Sequence, residues 1–390
     1  MKNDFHVIVI GGGGTGAAVI HDLTQRGFKA TLVERGELTS GTTGRHHGLL
    51  HSGGRYAVKD QESARECIHE NYILRKIAPE ALELNEGLFV AITDEDEAYS
   101  EQFLAGCEEC GIETRVLTPK QTLELEPNLN PKLRLAVQIP DGTIDAWRLP
   151  LHFFATAKHR GADIRPYNEV IGFIKQGGVV SGVRVLNHRT QQEYDLKGDL
   201  VVNATGPWAQ KVTTMAETKV PVQPSPGVMV AVRGRYHNMV LNRLNPSSDG
   251  DIIVPQRNLS VIGTSSWVVD DPDKLGVPEE HIQLMFKMGG MMVPTIEHAE
   301  FRAAWSAARP LIGAEEGEED TGRELSRTFK CFDHKERNNV EGLVSIIGGK
   351  AMTLRGMAET TVDVVCKKFG LDIPCRTHEE VLLPYRAYYH

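Results

Sequence analysis

The sequence predicts a mixed α/β protein, α+β overall, in which a parallel-sheet domain for a dinucleotide is joined to a second domain of antiparallel strands. Three observations predict it. A strand, glycine turn, helix and strand open the chain, short strands crowd its middle, and a strand feeding a Gly-Gly turn and a helix returns near its end. In the opening unit His6-Val7-Ile8-Val9-Ile10 leads into Gly11-Gly12-Gly13-Gly14-Thr15-Gly16. A helical stretch then runs to Gly27, and Ala30-Thr31-Leu32-Val33 ends at Glu34. This is the order and spacing of a Rossmann-like βαβ site. Gly11 allows the tight turn, Gly13 lets backbone N–H groups approach a pyrophosphate, Gly16 lets helix and sheet pack closely, and Glu34 can bind a ribose hydroxyl. Gly14 and Thr15 open the helix on whose positive end the diphosphate would sit, and Arg35 follows the acid.

Residues 36–56 form a second glycine-rich loop. Apolar spacing then predicts a helix over Glu62–Ala78, stopped by Pro79, a strand over Leu88–Ile92 and a helix over Glu95–Cys110. The proline-broken stretch from Pro119 to Pro140 reads as irregular, and Leu149–Arg160 as a helix ending at Gly161. Strands are expected at Val170–Ile174 and Val179–Leu186, joined through Gly177-Gly178 as a hairpin, and at Leu200–Asn203. Further strands are expected at Val228–Val232, Ile252–Pro255 and Leu259–Gly263, then a helix over Pro278–Met288. Glu315–Asp320 is an acidic run that reads as a solvated loop. Leu343–Ile347 is a buried-type strand closed by Gly348-Gly349, and Ala351–Phe369 a helix capped by Gly370. The final strand, turn and helix can return N–H groups to the cofactor, so the nucleotide domain is expected to be discontinuous.

At 390 residues the chain is long enough for two domains. Its formal charge of −9 argues against nucleic-acid binding, and no stretch approaches the roughly 20 apolar residues of a membrane span. The first strand starts almost at once, which leaves no room for a cleavable signal. The expected compartment is the cytoplasm, with peripheral attachment to the inner membrane left open. Six cysteines are scattered along the chain, and only Cys107-Glu108-Glu109-Cys110 has motif spacing. With no second pair to complete a site, these read as two cysteines on a polar helix, and no metal is expected.

Three later motifs narrow the reading. The first is Ser40-Gly41-Thr42-Thr43-Gly44-Arg45-His46-His47-Gly48-Leu49-Leu50-His51-Ser52-Gly53-Gly54-Arg55-Tyr56. The second is Val201-Val202-Asn203-Ala204-Thr205-Gly206-Pro207-Trp208. The third pairs Arg309-Pro310-Leu311 with Gly348-Gly349-Lys350-Ala351-Met352-Thr353-Leu354-Arg355. With the N-terminal unit, they resemble FAD-dependent glycerol-3-phosphate dehydrogenases, the catalytic chain of the anaerobic bacterial enzyme in particular, through nearly the whole sequence. At three places the chain departs from that pattern: Ala307-Ala308, His46-His47 and Leu354.

The resemblance implies a D-amino-acid-oxidase-like fold. Its FAD domain would comprise 1–88, 143–219 and 340–390, and its antiparallel substrate domain 89–142 and 220–339. It implies that Gly11, Gly13, Gly16 and Glu34 meet the ADP half of FAD, that Val170 meets the adenine through its backbone, and that Thr205-Gly206 lies beside the diphosphate. Thr42, Thr43 and Gly44 would line the flavin with His51 beside them, and Gly349-Lys350-Ala351-Met352 would turn over the pyrimidine edge. N–H groups at the start of the Ala351 helix, with Lys350 alongside, would stabilise the negative charge that a flavin gathers at N1 and the C2 carbonyl on reduction. Arg55, Tyr56 and Arg309 face substrate in this scheme, and arginine suits a bidentate contact with an anionic group.

The implied reaction oxidises a secondary alcohol on a small anionic substrate, sn-glycerol 3-phosphate to dihydroxyacetone phosphate, with hydride passing to flavin N5. His47 and His51 are the candidate bases. The family's C-terminal extension has no counterpart before His390, so electrons are expected to leave to a quinone, to oxygen or to a partner subunit. The alternative readings are an FAD-dependent 2-hydroxy-acid or amine oxidase, and a non-catalytic flavin-binding subunit of a larger complex.

Overall fold

The computed structural model describes residues 3–313 and 328–390. Its first sheet has six strands in the order Phe329–Asp333, Leu343–Gly348, Leu200–Asn203, His6–Ile10, Lys29–Val33 and Asp163–Arg165. All pair in parallel except Phe329–Asp333, which runs antiparallel to Leu343–Gly348 at the edge. His6–Ile10 is central, and four of its five residues are fully buried, as expected of a strand covered on both faces. The helices Gly14–Gln25, Arg148–His159 and Leu354–Lys368 pack on one side, burying Val19, Ile20, Phe153, Val362 and Val365 in one core. The other side is covered by the antiparallel sheet Asn168–Gln176, Val179–Asn187 and Gln192–Lys197. Three distant stretches of sequence thus meet in one sheet.

The second large sheet has eight strands, in the order Phe301–Ile312, Val222–Arg233, Leu259–Gly263, Ile252–Gln256, Val240–Arg243, Gly87–Ala91, Leu135–Ile139 and Arg115–Leu117. It is antiparallel except where Val240–Arg243 meets Gly87–Ala91. The helix Glu279–Met292 packs on it through Met285 and Met292. A small fourth sheet is formed by Leu49–Leu50, Gly142–Ile144 and Leu82–Glu83, the first of which belongs to the second glycine loop.

Four of the elements that differ from the sequence reading are instructive. Pro119–Leu125 is a helix: Thr118 caps it by accepting from the Gln121 N–H, and Pro119 occupies the first turn, where no N–H is needed. Leu135–Ile139 is a strand inside the stretch read as irregular. Phe301–Ile312 is a long strand that alanines, charges and Pro310 concealed; its place at the sheet edge is where a proline is tolerated. Phe329–Asp333 belongs to the parallel sheet and so lies on the other side of the boundary expected at 339/340. The acidic run Glu315–Asp320 lies outside the described residues.

One buried ion pair ties the last helix to Gln61–Ile77. Arg355 donates Nε to Glu70 at 2.9 Å and also donates to Glu359 and Thr377, while the Arg355 and Glu70 side chains are only 3 % and 4 % exposed. Removing one partner strands the other charge in a dry core. Arg355→Met should therefore lower the urea unfolding free energy by about 3–5 kcal/mol, and Glu70→Gln added to it should restore most of that. A loss below about 1 kcal/mol in the single variant would show the pair to be dispensable.

Candidate cofactor cleft and active site

The two large sheets enclose a cleft of about 1650 Å³. Its floor is the end of the central strand His6–Ile10, where the glycine turn permits approaches that no side chain could share. Gly11 has φ +109°, and a Cβ there would stand 2.7 Å from the Ala204 carbonyl oxygen. A Cβ on Gly16 would stand 1.9 Å from the Gly11 carbonyl oxygen. The helix Gly14–Gln25 therefore starts directly over the strand end, and its N-cap residue, Gly13, has no side chain with which to cap it. The Thr43 hydroxyl accepts the Gly14 N–H at 2.9 Å and keeps its own proton to donate into the cleft. The remaining N–H groups of the first turn, from Thr15 and Gly16, have no carbonyl one turn back and mark an anion site.

Glu34 closes one end of this floor. Its carboxylate accepts the Gly12 N–H at 2.6 Å and the Gly36 N–H at 2.8 Å. Each oxygen retains a lone pair, so a carboxylate locked in this way can still accept from two vicinal hydroxyls. Val170 lies beside it on a strand whose Asn168 N–H donates to the Glu34 carbonyl at 2.7 Å. On the opposite flank Thr205 is held by Asn203, whose Oδ1 accepts the Thr205 hydroxyl at 2.7 Å, and Gly206 turns the chain with φ +57°. Thr42 donates to the Ala308 carbonyl at 2.7 Å and so fastens the second glycine loop to the edge strand. Leu354 packs towards Gly14, 3.7 Å from where its Cβ would be. These paired glycine approaches, the locked acid and the open helix start form a groove that fits an extended dinucleotide.

The final motif also reaches the cleft, with one difference. Gly348 and Gly349 both have positive φ. The Gly349 N–H, however, is donated to the Thr328 carbonyl at 3.0 Å, and that of Lys350 to the Thr353 hydroxyl at 2.9 Å. Ala351 and Met352, which head the short 3-10 turn Ala351–Thr353 before Leu354–Lys368, therefore supply the N–H groups at this helix start. The Lys350 ammonium lies 4.9 Å from the Tyr56 ring centre and 3.6 Å from Glu66.

At the other end of the cleft stand His46, His47, His51, Tyr56 and Arg309. The His47 and His51 rings lie 6.4 Å apart, and His51 lies 5.5 Å from Tyr56. Scarcity of water holds all three histidines neutral. Desolvation lowers His46 to about 4 and His47 to about 3, and it lowers His51 well below the ordinary range, helped by His47, Lys350 and Arg55 nearby. Backbone contacts then set two tautomers. His47 Nδ1 accepts the Leu49 N–H at 3.2 Å and His46 Nδ1 the Gly48 N–H at 2.9 Å, so each neutral ring carries its proton on Nε2. The His51 ring makes no hydrogen bond to any described residue.

The two arginines differ. Arg309 is held by the carbonyls of Ser225 and Pro226, both at 3.3 Å, by that of Ser265 at 3.2 Å and by the Thr264 hydroxyl. Gly227 makes room for it: a Cβ there would stand 2.6 Å from an Arg309 terminal nitrogen. Arg55 also lines the cleft, and its guanidinium is engaged by the protein as well. Its guanidinium binds Asp251 at 2.5 Å and the Arg243 carbonyl at 2.8 Å, and the Arg55 and Asp251 side chains are 3 % and 1 % exposed. That charge is already matched, and it holds the 243–251 loop against the cleft. Thr264, Gly227 and Asp251 escaped the sequence reading. The Thr264-Ser265-Ser266 run directly after a strand was the available signal, whereas Asp251 and Gly227 left none.

Comparison with known proteins agrees with this geometry. A family model described as FAD dependent oxidoreductase matches residues 6–354. The chain is 41 % identical over 378 residues to one subunit of the anaerobic glycerol-3-phosphate dehydrogenase of Escherichia coli (strain K12), covering 96 % of this chain and 69 % of that one. It is 42 % identical to an anaerobic glycerol-3-phosphate dehydrogenase subunit of Haloferax volcanii, covering 98 % and 67 %. Among solved structures, the glycerol-3-phosphate dehydrogenase from Bacillus halodurans complexed with FAD superposes with a TM-score of 0.74 at 27 % identity, covering 98 % of this chain and 68 % of that one. A glycine oxidase from Geobacillus kaustophilus shares the fold, with a TM-score of 0.75 at 22 % identity over 97 % and 99 % of the two chains. A groove shaped for a dinucleotide, in a chain alike over nearly its whole length to flavoproteins, makes this protein a member of the FAD dependent oxidoreductase family, with FAD as its cofactor.

Proposed function

We propose that the protein is an FAD-dependent dehydrogenase that oxidises the secondary alcohol of sn-glycerol 3-phosphate to dihydroxyacetone phosphate. The observation that carries this reading is the likeness, along almost the entire chain, to glycerol-3-phosphate dehydrogenases, combined with an arginine built into the wall of the cleft. When bound, FAD supplies the acceptor for the hydride leaving the alcohol carbon. Arg309, braced from behind by three carbonyls and given space by Gly227, binds the phosphate. His47, protonated on Nε2, donates a hydrogen bond and orients the alcohol. His51, kept neutral by burial, takes the hydroxyl proton at a ring nitrogen. Tyr56 packs between His51 and Lys350 and positions both. Lys350 and the N–H groups of Ala351 and Met352 balance the negative charge that builds at the pyrimidine edge. Arg55 acts at one remove, by fixing the 243–251 loop. The electrons leave to a quinone or to a partner subunit.

Anaerobic mixing of the FAD-loaded protein with a panel of polyol phosphates, 2-hydroxy acids and amines tests the reading. Loss of the yellow absorbance with glycerol 3-phosphate, and not with lactate, glycine or proline, is expected; bleaching by an amine or hydroxy acid alone would replace it with the oxidase reading. Arg309→Ala should raise KM for glycerol 3-phosphate by about 10- to 100-fold, the cost of about 1.5–3 kcal/mol for a lost charged hydrogen bond. Gly227→Ala should raise KM in the same direction by displacing the guanidinium, while leaving FAD content unchanged. Because desolvation keeps His51 neutral as pH falls through 6.5, the acid limb of kcat/KM, corrected for ionisation of the substrate phosphate, should lie below that value. A limb at or above pH 7 would remove His51 as the base.

A further inference from the structure

We propose that residues 264–278 form a strap across the cofactor groove, and that Asp273 is its latch, a positioning residue that holds Arg35 and Trp208 closed over FAD. The segment links two elements of the second sheet's domain, the strand Leu259–Gly263 and the helix Glu279–Met292. It first runs alongside the strand Val222–Arg233, where the Trp267 N–H donates to the Pro226 carbonyl at 3.3 Å and the Val269 N–H to that of Pro224 at 3.2 Å. It then crosses to the parallel sheet's domain. There the Asp273 carboxylate binds three groups at once: Arg35 at 2.8 Å, the Trp208 indole N–H at 2.7 Å and the Lys211 ammonium at 2.6 Å. Lys211 also binds Asp271 at 2.6 Å, and the Asp271 carboxylate accepts the Asp273 N–H at 3.0 Å.

The sheet order says what lies beneath this latch. His6–Ile10 has Leu200–Asn203 on one side and Lys29–Val33 on the other. Trp208 follows the first of these neighbours and Arg35 the second. A carboxylate that bonds both must therefore bridge the end of the central strand, where the glycine turn and the open helix start lie. Three further observations agree. Pro272, Asp273, Leu275 and Val277 line the same cleft as Gly11–Thr15. The Trp208 ring stands 3.4 Å from the position of a Cβ on Gly41, above the second glycine loop. The Arg35 guanidinium stacks on Trp208 at 4.7 Å, so the two rims already touch and Asp273 fastens them. Arg35, Lys211 and Asp273 are each about two-fifths exposed, so salt should loosen the latch.

The test is the rate at which FAD leaves the loaded enzyme, read from the rise in free-FAD fluorescence after dilution, in the parent, in Asp273→Asn and in Asp273→Ala. Release should be at least tenfold faster in both variants. In the parent it should quicken between 50 mM and 500 mM NaCl, and in the variants it should scarcely respond. Thermal unfolding of the FAD-free proteins should be alike, which separates a latch from a general loss of structure; should Asp273→Ala fail to fold, Trp208→Phe, which keeps the ring but removes the indole N–H bond to Asp273 from the other side, must also show faster release. Release within twofold of the parent, no release from any of the proteins, or slower release from the variants would overturn the proposal. Slower release would mean that the Asp273 charge repels the diphosphate and does not secure it.

Discussion

Everything in this molecule depends on one steric constraint: the backbone at Gly11 must lie against two other backbones at once. The Ala204 carbonyl approaches from the neighbouring strand, and the Gly11 carbonyl itself crosses under Gly16. No residue with a Cβ can occupy either glycine position without moving the helix off the strand end. A helix moved outward by the width of a methyl group would no longer aim its first N–H groups at the groove, and the anion site rests on that aim. The constraint also explains why so many separate segments converge here. Thr43 caps the Gly14 N–H, Glu34 accepts the Gly12 N–H, and Leu354 packs on the same turn, so the second glycine loop, the second strand and the last helix are all referenced to one short stretch.

The cleft is electrostatically divided. At the groove end, backbone dipoles and hydroxyls face a site for a charged diphosphate and avoid the desolvation cost of burying a formal charge. At the other end, burial keeps three histidines neutral next to Arg309, Lys350 and the matched pair Arg55–Asp251. The proposed reaction needs neutral rings there: a protonated His51 could not receive a proton, and a protonated His47 would add positive charge beside Arg309. Asp141 is wholly buried beneath the second glycine loop, and desolvation pushes it up to about 6 although it accepts the Ser52 N–H at 2.6 Å and an Asn242 amide N–H at 3.2 Å. It holds that loop by hydrogen bonding.

The groove was far more legible in the sequence than the substrate end, and the reason is physical. The groove is built from backbone at positions that only glycine tolerates, and from Glu34 at the end of a predicted strand, so residue type and spacing expose it directly. Substrate-end contacts depend on which side chains a sheet brings together. Arg309 sits on a strand that Pro310 and four alanines disguised, and its room comes from Gly227 on a neighbouring strand about eighty residues away. The Arg55–Asp251 pair was invisible because Asp251 lies 196 residues along the chain. Helix bounds came close because capping and apolar period are local. The helix at Pro119 was hidden only because its proline was read as a breaker when Thr118 and Gln121 made it a start.

The same reasoning shows why the strap must belong to the substrate domain and not to the cofactor domain it touches. A groove formed by three loops of one sheet has rims that can part independently, since each loop is fixed only at its own strand. Trp208 follows one strand and Arg35 another, and the strand between them carries the glycine turn, which has no side chains with which to join them. Arg35 stacks on Trp208 across the rims, and the carboxylate that bonds both of them comes from outside that sheet. The segment after Leu259–Gly263 is placed to supply it, because its neighbours Thr264 and Ser265 already brace Arg309 at the other end of the cleft. One continuous stretch of about fifteen residues therefore touches both the groove rims and the arginine.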